Sequence, residues 1–453
     1  MQPERLTKLN ERRTADGRYI LYWMQAAQRA VDNPALEYAV GWADQLELPL
    51  VVGFALHEGY PGANARHFAF LLQGLAETAA ALAERRIAFV LRRGRPVEVI
   101  TELAADAAVV VADVGYLRHQ RHWRGELARR LRVPLIAVEG EVCVPARAAS
   151  DKQEYAAHTL RPKLNRLLDH FLEPPTARAP ALPADGLGLP GEDSDEDPDD
   201  WRALSAKLDC DDGATPVTAH HPGGTRQGLR RLEHFIAANL DDYAELRNDP
   251  AVDRQSGLSP YLHFGQLSPL RVVLEVRRTG SPGAAAFLEQ LVVRRELAVN
   301  WCLHNPAYDA YAGLPDWARR TLDEHAADPR PRAYNPAELE SAATHDPYWN
   351  AAQRELLLSG KMHGYLRMYW GKKILEWTPE PAEALSTINR LNDKYSLDGR
   401  DPDGYAGAAW CLGAHDRPWP ERNIFGKVRY MNARGLERKF DIAAYTARIA
   451  ALD

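Results

Sequence analysis

The chain has 453 residues, 45% apolar and 26% charged, with a net charge of −6. That composition excludes a disordered chain and supplies enough apolar side chain for two cores or more. No apolar run approaches the ~18 residues that a spanning helix needs, and the charged start Met1-Gln2-Pro3-Glu4-Arg5 has no apolar segment behind it, so a cytoplasmic protein is expected.

The first 150 or so residues alternate short apolar runs with helical patterns. Strands are expected at 19–23, 50–56, 87–91, 108–112 and 135–138, with helices at 35–45, opened by Asn33-Pro34, and at about 63–85. Runs that are apolar throughout belong to strands covered on both faces, so the pattern predicts an α/β domain built on a parallel, Rossmann-like sheet. Neither a GxGxxG nor a GxxxxGK[ST] opens a helix here, which leaves the domain without a dinucleotide fingerprint or a phosphate loop.

A helical stretch near 154–172 is followed by a change of composition. Pro174-Pro175, Pro180, Pro183, Gly186, Gly188 and Pro190 lead into an acid cluster, and 185–200 holds eight acids and no base. Such a segment buries too little apolar surface to order itself well and is expected to be a linker. The expected organisation is an α/β domain at 1–172, an interdomain linker at 173–223, and an all-helical domain at 224–453.

In that last part helices are expected at 225–239, 268–278, 282–304, 317–326, 349–359, 361–377 and 381–395, and eight of the eleven tryptophans fall from Trp201 onward. The run 360–377 is the least generic. At 3.6 residues per turn His363, Arg367, Trp370, Ile374 and Trp377 share a face, and an arginine on an apolar face requires a carboxylate or an anionic ligand. Asp398-Gly399-Arg400-Asp401 can supply the carboxylate.

Charge is uneven. Without the eight acids of 185–200 the remainder sums to −6 + 8 = +2, and 417–439 holds seven bases against two acids, a concentration able to track phosphates. Cys143, Cys210, Cys302 and Cys411 stand at least 67 residues apart, which gives no metal-ligand spacing, and no metal site is expected.

Several segments of the helical half, taken together, resemble one family. They are Ser256-Gly257-Leu258-Ser259-Pro260-Tyr261-Leu262-His263-Phe264-Gly265, Val293-Arg294-Arg295-Glu296-Leu297-Ala298, and Thr344-His345-Asp346-Pro347-Tyr348-Trp349-Asn350-Ala351-Ala352-Gln353. Gly360-Lys361-Met362-His363-Gly364-Tyr365, Leu391-Asn392-Asp393, Asp398-Gly399-Arg400-Asp401 and Phe425-Gly426-Lys427-Val428-Arg429-Tyr430-Met431-Asn432 complete the set. Seven motifs in order over roughly 180 residues resemble the class II cyclobutane pyrimidine dimer photolyases of the photolyase/cryptochrome superfamily.

The resemblance implies an enzyme that uses light and FAD, bound by the helical domain, to split pyrimidine dimers flipped out of DNA. It implies that Tyr243, Ser256, Gly257, Leu258 and Ser259 contact the FAD phosphates and adjacent groups, that Arg367 and Asp398 pair beside the isoalloxazine with Asp401 nearby, and that Asn392 faces flavin N5. Glu296 resembles the glutamate that meets the dimer. Trp301 and Trp410 resemble the lesion walls, and Trp349 and Trp370 the electron chain, with Trp377 and Tyr334 as further members. Arg254, Arg417, Arg422, Lys427 and Arg429 are expected against DNA. The resemblance further implies an antenna chromophore, a deazaflavin or a folate, in the α/β domain. A monomer with dimer-containing DNA as its partner is expected. A cryptochrome-like light receptor is the alternative, disfavoured because the chain given ends soon after the last motif.

Overall fold

The computed structural model describes residues 1–191 and 200–452, and two compact units emerge from it. Most of the acid cluster noted above, residues 192–199, lies outside the described residues. The first unit comprises 1–151, 163–233 and 258–278, the second 152–162, 234–257 and 279–453.

The first unit is organised by a six-stranded sheet in the order β1-β6-β5-β2-β3-β4, formed by Leu6–Lys8, Tyr19–Trp23, Leu50–Leu56, Ala88–Arg93, Ala107–Asp113 and Leu135–Val138 for β1 to β6. Every pairing is parallel except that of β1 with β6. The five parallel strands fall where the apolar runs predict them. The antiparallel edge strand β1 escaped the sequence reading because three residues, two of them exposed, leave no pattern. In the centre, Leu21 lies between Val51 of β3 and Val110 of β5, and all five residues of β2 are buried. Asn33 caps the helix Pro34–Leu46 by accepting from the backbone N–H groups of Ala35 and Leu36, both at 3.1 Å.

Two buried arginines stitch distant segments onto this unit. Arg5 donates to the carbonyls of Glu139, Val142, Cys143 and Phe171 at 2.8–3.2 Å. Arg29 donates to the carbonyl of Gly265 at 2.8 Å and pairs with Glu141 at 2.7 Å. Gly265 has φ +65° and approaches so closely that a Cβ would stand 1.7 Å from the Ala26 carbonyl oxygen. Gln266 accepts from the Gly224 N–H at 2.7 Å, and Phe70 packs on both Tyr261 and Phe264. These contacts explain why 258–278 joins the sheet unit. The described part of the proline-rich stretch has its backbone held by side chains of the sheet unit: Arg18 donates to the Leu187 carbonyl, Arg92 to the Pro190 carbonyl, and the Ala181 N–H donates to Asp44.

The second unit is helical. Helices Arg295–His304, Pro347–Ser359, Gly364–Trp377, Pro381–Tyr395 and Pro402–Cys411 build its centre. The helix expected to run unbroken over 282–304 is divided, with Ala284–Leu288, a π-helical stretch over Glu289–Arg294, and then Arg295–His304. The helix predicted from 361 begins at Gly364 because His363 is its cap, accepting from the Tyr365 N–H at 3.3 Å. Glycine sets how closely these helices approach, since a Cβ on Gly371 would meet Cys411 Sγ at 2.6 Å. No helix among the described residues is long and apolar enough to cross a membrane.

Candidate functional site

The second unit gathers most of the sequence-predicted residues into three clusters. The first surrounds Arg367, in the first turn of the helix Gly364–Trp377. Its guanidinium donates to Asn392 Oδ1 at 3.0 Å, to Ser396 Oγ at 3.4 Å and to Asp398 Oδ1 at 3.2 Å. The anion that Arg367 requires is thus Asp398, which also pairs with Lys361. Burial pushes the Lys361 ammonium below its ordinary value, and Asp398 opposes that shift. Ser396 and Lys361 were not singled out in the sequence as partners of this carboxylate, although Lys361 stands inside one of the motifs.

The Asn392 side chain is held on one side only. Its Oδ1 is engaged by Arg367, while Nδ2 has no protein acceptor among the described residues. Gly404 faces it, and a Cβ there would intrude to 2.9 Å from Nδ2. Asp401 caps the helix Pro402–Cys411 by accepting from the Asp403 N–H at 2.9 Å. Asp403 keeps an accessible side chain although protein crowds around it, the position of a group on a concave wall. Burial, and then the charge of Asp401, push its carboxyl up to about 7, with Arg295 and Arg367 opposing. Three carboxylates and two guanidiniums therefore meet at one place, a polar cluster suited to a hydrogen-bonding ligand.

The second cluster is aromatic. Trp349 and Trp370 stack with centroids 6.3 Å apart and planes 8° from parallel. Their orientations are fixed by hydrogen bonds, from Trp349 Nε1 to the Trp370 carbonyl at 3.0 Å and from Trp370 Nε1 to Gln353 Oε1 at 2.9 Å. Trp377 meets Trp349 edge-on at 5.4 Å, and Tyr334 meets Trp377 edge-on at 5.0 Å. Four rings thus form an unbroken path that leads from a fully buried pair to a half-buried tyrosine. Sequence spacing alone does not separate such a path from ordinary core aromatics.

The third cluster lies around the end of the helix Pro402–Cys411 and the stretch after it. Trp410, half-buried, has Lys372 Nζ 5.1 Å from its ring centre and Arg429 5.7 Å from it. Arg429 and Arg417 both lie over Trp419, at 5.0 and 5.3 Å, and Arg422 lies over Tyr430 at 5.2 Å. The loop is anchored by Asp328, which accepts from the Ile424 N–H at 2.7 Å, and by Thr321, which accepts from the Lys427 N–H at 3.0 Å. Lys372 is completely buried. Burial lowers it to about 8, and it donates to the Cys411 carbonyl at 2.6 Å.

The remaining candidates are placed differently. Glu296 is buried on the helix Arg295–His304, which packs against Pro402–Cys411. Trp301 is 1% exposed, donates to the Tyr308 carbonyl at 3.0 Å and meets His415 edge-on. Tyr243 packs edge-on between Phe235 and Phe287. Arg254 donates to the Ala238 carbonyl and to Asn239, both at 2.8 Å, where the helix Thr225–Ala238 ends. Gly257 has φ +64°, Leu258 is buried and Ser259 opens the helix Ser259–His263. The chain passes from the second unit to the first between Gly257 and Leu258, with Ser256 just before that point.

Comparison with known proteins follows from this geometry. A class III photolyase from Agrobacterium tumefaciens matches the structure with a TM-score of 0.74 at 20% identity, covering 97% of this chain and 87% of that one. A photolyase from Sulfolobus tokodaii, solved with two FAD molecules, matches with a TM-score of 0.71 at 16% identity, covering 95% and 89%. The fold is the one that these two photolyases have. The family model described as DNA photolyase matches residues 20–183. The deoxyribodipyrimidine photo-lyase of Methanothermobacter thermautotrophicus is 48% identical over 451 residues, 99% of this chain and 98% of the relative. That of Potorous tridactylus is 43% identical, over 96% of this chain and 81% of the relative. The chain belongs to the DNA photolyase family.

Proposed function

We propose that the protein is a light-dependent deoxyribodipyrimidine photo-lyase that binds FAD in its helical unit and splits cyclobutane pyrimidine dimers in DNA. The observation that carries this is the 48% identity over nearly the whole of both chains. The Arg367, Asn392 and Asp398 cluster and the stacked indoles support it. The residues fit the cofactor: Asn392 presents an uncommitted amide beside a glycine that leaves room, and Arg367 is pre-oriented by Asp398. When bound and reduced, FAD supplies the electron that light sends to the dimer.

The chain's own residues take defined parts. Arg367 and Lys361 offset the negative charge of the ligand, with Asp398 holding both in place. Asn392 meets the flavin ring with an amide, able to donate from nitrogen or accept at oxygen. Asp401 positions the start of the helix that carries Trp410 in its last turn. Ser256, Gly257 and Tyr243 hold the phosphates and adjacent groups, with Leu258 and Ser259 next along the chain. Glu296 hydrogen-bonds the dimer, Trp301 and Trp410 bound the lesion, and Arg254, Arg417, Arg422, Lys427 and Arg429 meet the phosphates. Trp370, Trp349, Trp377 and Tyr334 return electrons to oxidised flavin.

The test is a purified preparation examined for visible absorption, then incubated with dimer-containing DNA in the dark and under blue light. Noncovalent FAD released on denaturation, together with repair in the light only, is the expected result. A protein that neither carries nor takes up FAD overturns the reading, and bound FAD without repair replaces it with a light receptor.

A further inference from the structure

The outer end of the aromatic path carries a feature that an electron chain alone does not require. Tyr334 and His345 lie with their rings 13° from parallel and 6.0 Å apart, and the Tyr334 hydroxyl hydrogen-bonds His345 Nδ1. The backbone N–H of His345 donates to the same phenolic oxygen at 3.0 Å. Accepting from the backbone leaves the phenolic O–H free to donate, and in the Nε2–H tautomer of His345 the lone pair of Nδ1 accepts it. Tyr334 meets Trp377 edge-on at 5.0 Å, and His345 stands exposed to water.

We propose that Tyr334 and His345 form the proton-coupled terminus of the chain: Tyr334 gives an electron to oxidised Trp377 while its phenolic proton passes to Nδ1 of His345. The inference rests on the reading of Trp370, Trp349 and Trp377 as the electron chain. The oxidant is photoexcited oxidised flavin, whose hole passes outward through Trp370 and Trp349 to Trp377. At the terminus one electron moves from Tyr334 to the Trp377 radical cation, the O–H bond breaks and an N–H bond forms. The products are closed-shell Trp377, a neutral tyrosyl radical and an imidazolium, with charge conserved.

The surroundings favour that direction. Lys373 Nζ lies 5.7 Å over the Trp377 ring, where a fixed positive charge opposes a second one on the indole, even though Glu376 pairs with the ammonium at 2.8 Å. Tyr334 escapes the same penalty because it becomes neutral on losing its proton. A phenol that lost only an electron would be left as an unstable cation, so an acceptor already hydrogen-bonded to it is the condition for the step. The exposed imidazolium can then release the proton to water, which separates the charges and slows their return.

The test is time-resolved optical and electron-spin detection of radicals after a light flash on the oxidised holoenzyme, in H₂O and D₂O. Decay of the tryptophan radical into a tyrosyl radical, slowed in D₂O, is the expected behaviour of the unmodified protein. Tyr334→Phe should abolish both the tyrosyl signal and the isotope effect. His345→Phe, which keeps a flat ring but no acceptor, should cut the tyrosyl yield by about tenfold or more, and added imidazole should restore part of it. The same losses should appear in flavin-free protein oxidised by a photosensitised ruthenium polypyridyl complex with persulfate. His345→Asn gives a second variant if the phenylalanine disturbs folding. A wild-type tyrosyl yield and isotope effect in both His345 variants, or tryptophan radicals with no tyrosyl radical in the unmodified protein, overturns the proposal. Absence of any tryptophan radical overturns the electron-chain reading with it.

Discussion

At the scale of single residues the two uses of tryptophan can be separated. Trp370 is 1% exposed, stacked on Trp349 and held by Gln353. Trp370→Phe keeps a flat ring at modest packing cost, so light-driven reduction of flavin should be blocked while chemically reduced enzyme still repairs. Photoreduction followed by a repair assay on the same preparation checks this. Glu296→Ala should lower repair per absorbed photon more than lesion affinity, because the proposed partner is the dimer as it gains charge; equal losses would return Glu296 to a structural role. Asp398→Asn leaves Lys361 and Arg367 together without their carboxylate. With both pairs partly exposed the expected cost is about 1–2 kcal/mol, and flavin content after gel filtration should fall along with the melting temperature. Before any family was considered, the sequence required an anion for Arg367 and offered 398–401. Ser396 and Lys361 were hidden because their roles depend on how the chain folds back after the helix Pro381–Tyr395.

At the scale of elements, the helices Gly364–Trp377 and Pro402–Cys411 meet at Gly371 and Cys411. In an isolated helix Gly371→Ala would gain about 1 kcal/mol of propensity. Here the new Cβ would sit 2.6 Å from Cys411 Sγ, so a net loss of about 1–3 kcal/mol is expected. Cys411→Ala removes the sulfur, and the double variant should be less destabilised than the sum of the two single changes, as denaturant unfolding of all three can show. The cap of the same helix gives a pH dependence. Burial, and then Arg448, lower His363 to about 4, below its unfolded value of roughly 6.5. The native state therefore binds fewer protons: this contribution is complete above about pH 6.5 and is lost as pH falls toward 4, to the extent of about 3 kcal/mol. His363→Asn retains a capping side chain, and unfolding measured at several pH values should show a shallower acid limb.

At the scale of the whole molecule the net charge of −6 conceals a basic C-terminal stretch beside tryptophans. Affinity for dimer-containing duplex should fall with salt, and Lys427→Ala should reduce the slope of log affinity against log salt by about 0.9. Arg429→Ala should do that and also loosen the proposed lesion wall, since Arg429 lies over Trp410 and Trp419. An unchanged slope in both would place the DNA surface elsewhere. The sequence by itself determined the elements and their class: five strands apolar on both faces, helices with capping residues and a proline-rich break, together with the motifs that carry the family. These are local, because strand burial, helix periodicity and motif spacing are written along the chain. Only the tertiary structure decided that 258–278 joins the sheet unit, that Lys361 and Arg367 share Asp398, and that Tyr334 faces His345 and Trp377. Each depends on how the chain folds back on itself between separate elements, which no local periodicity encodes.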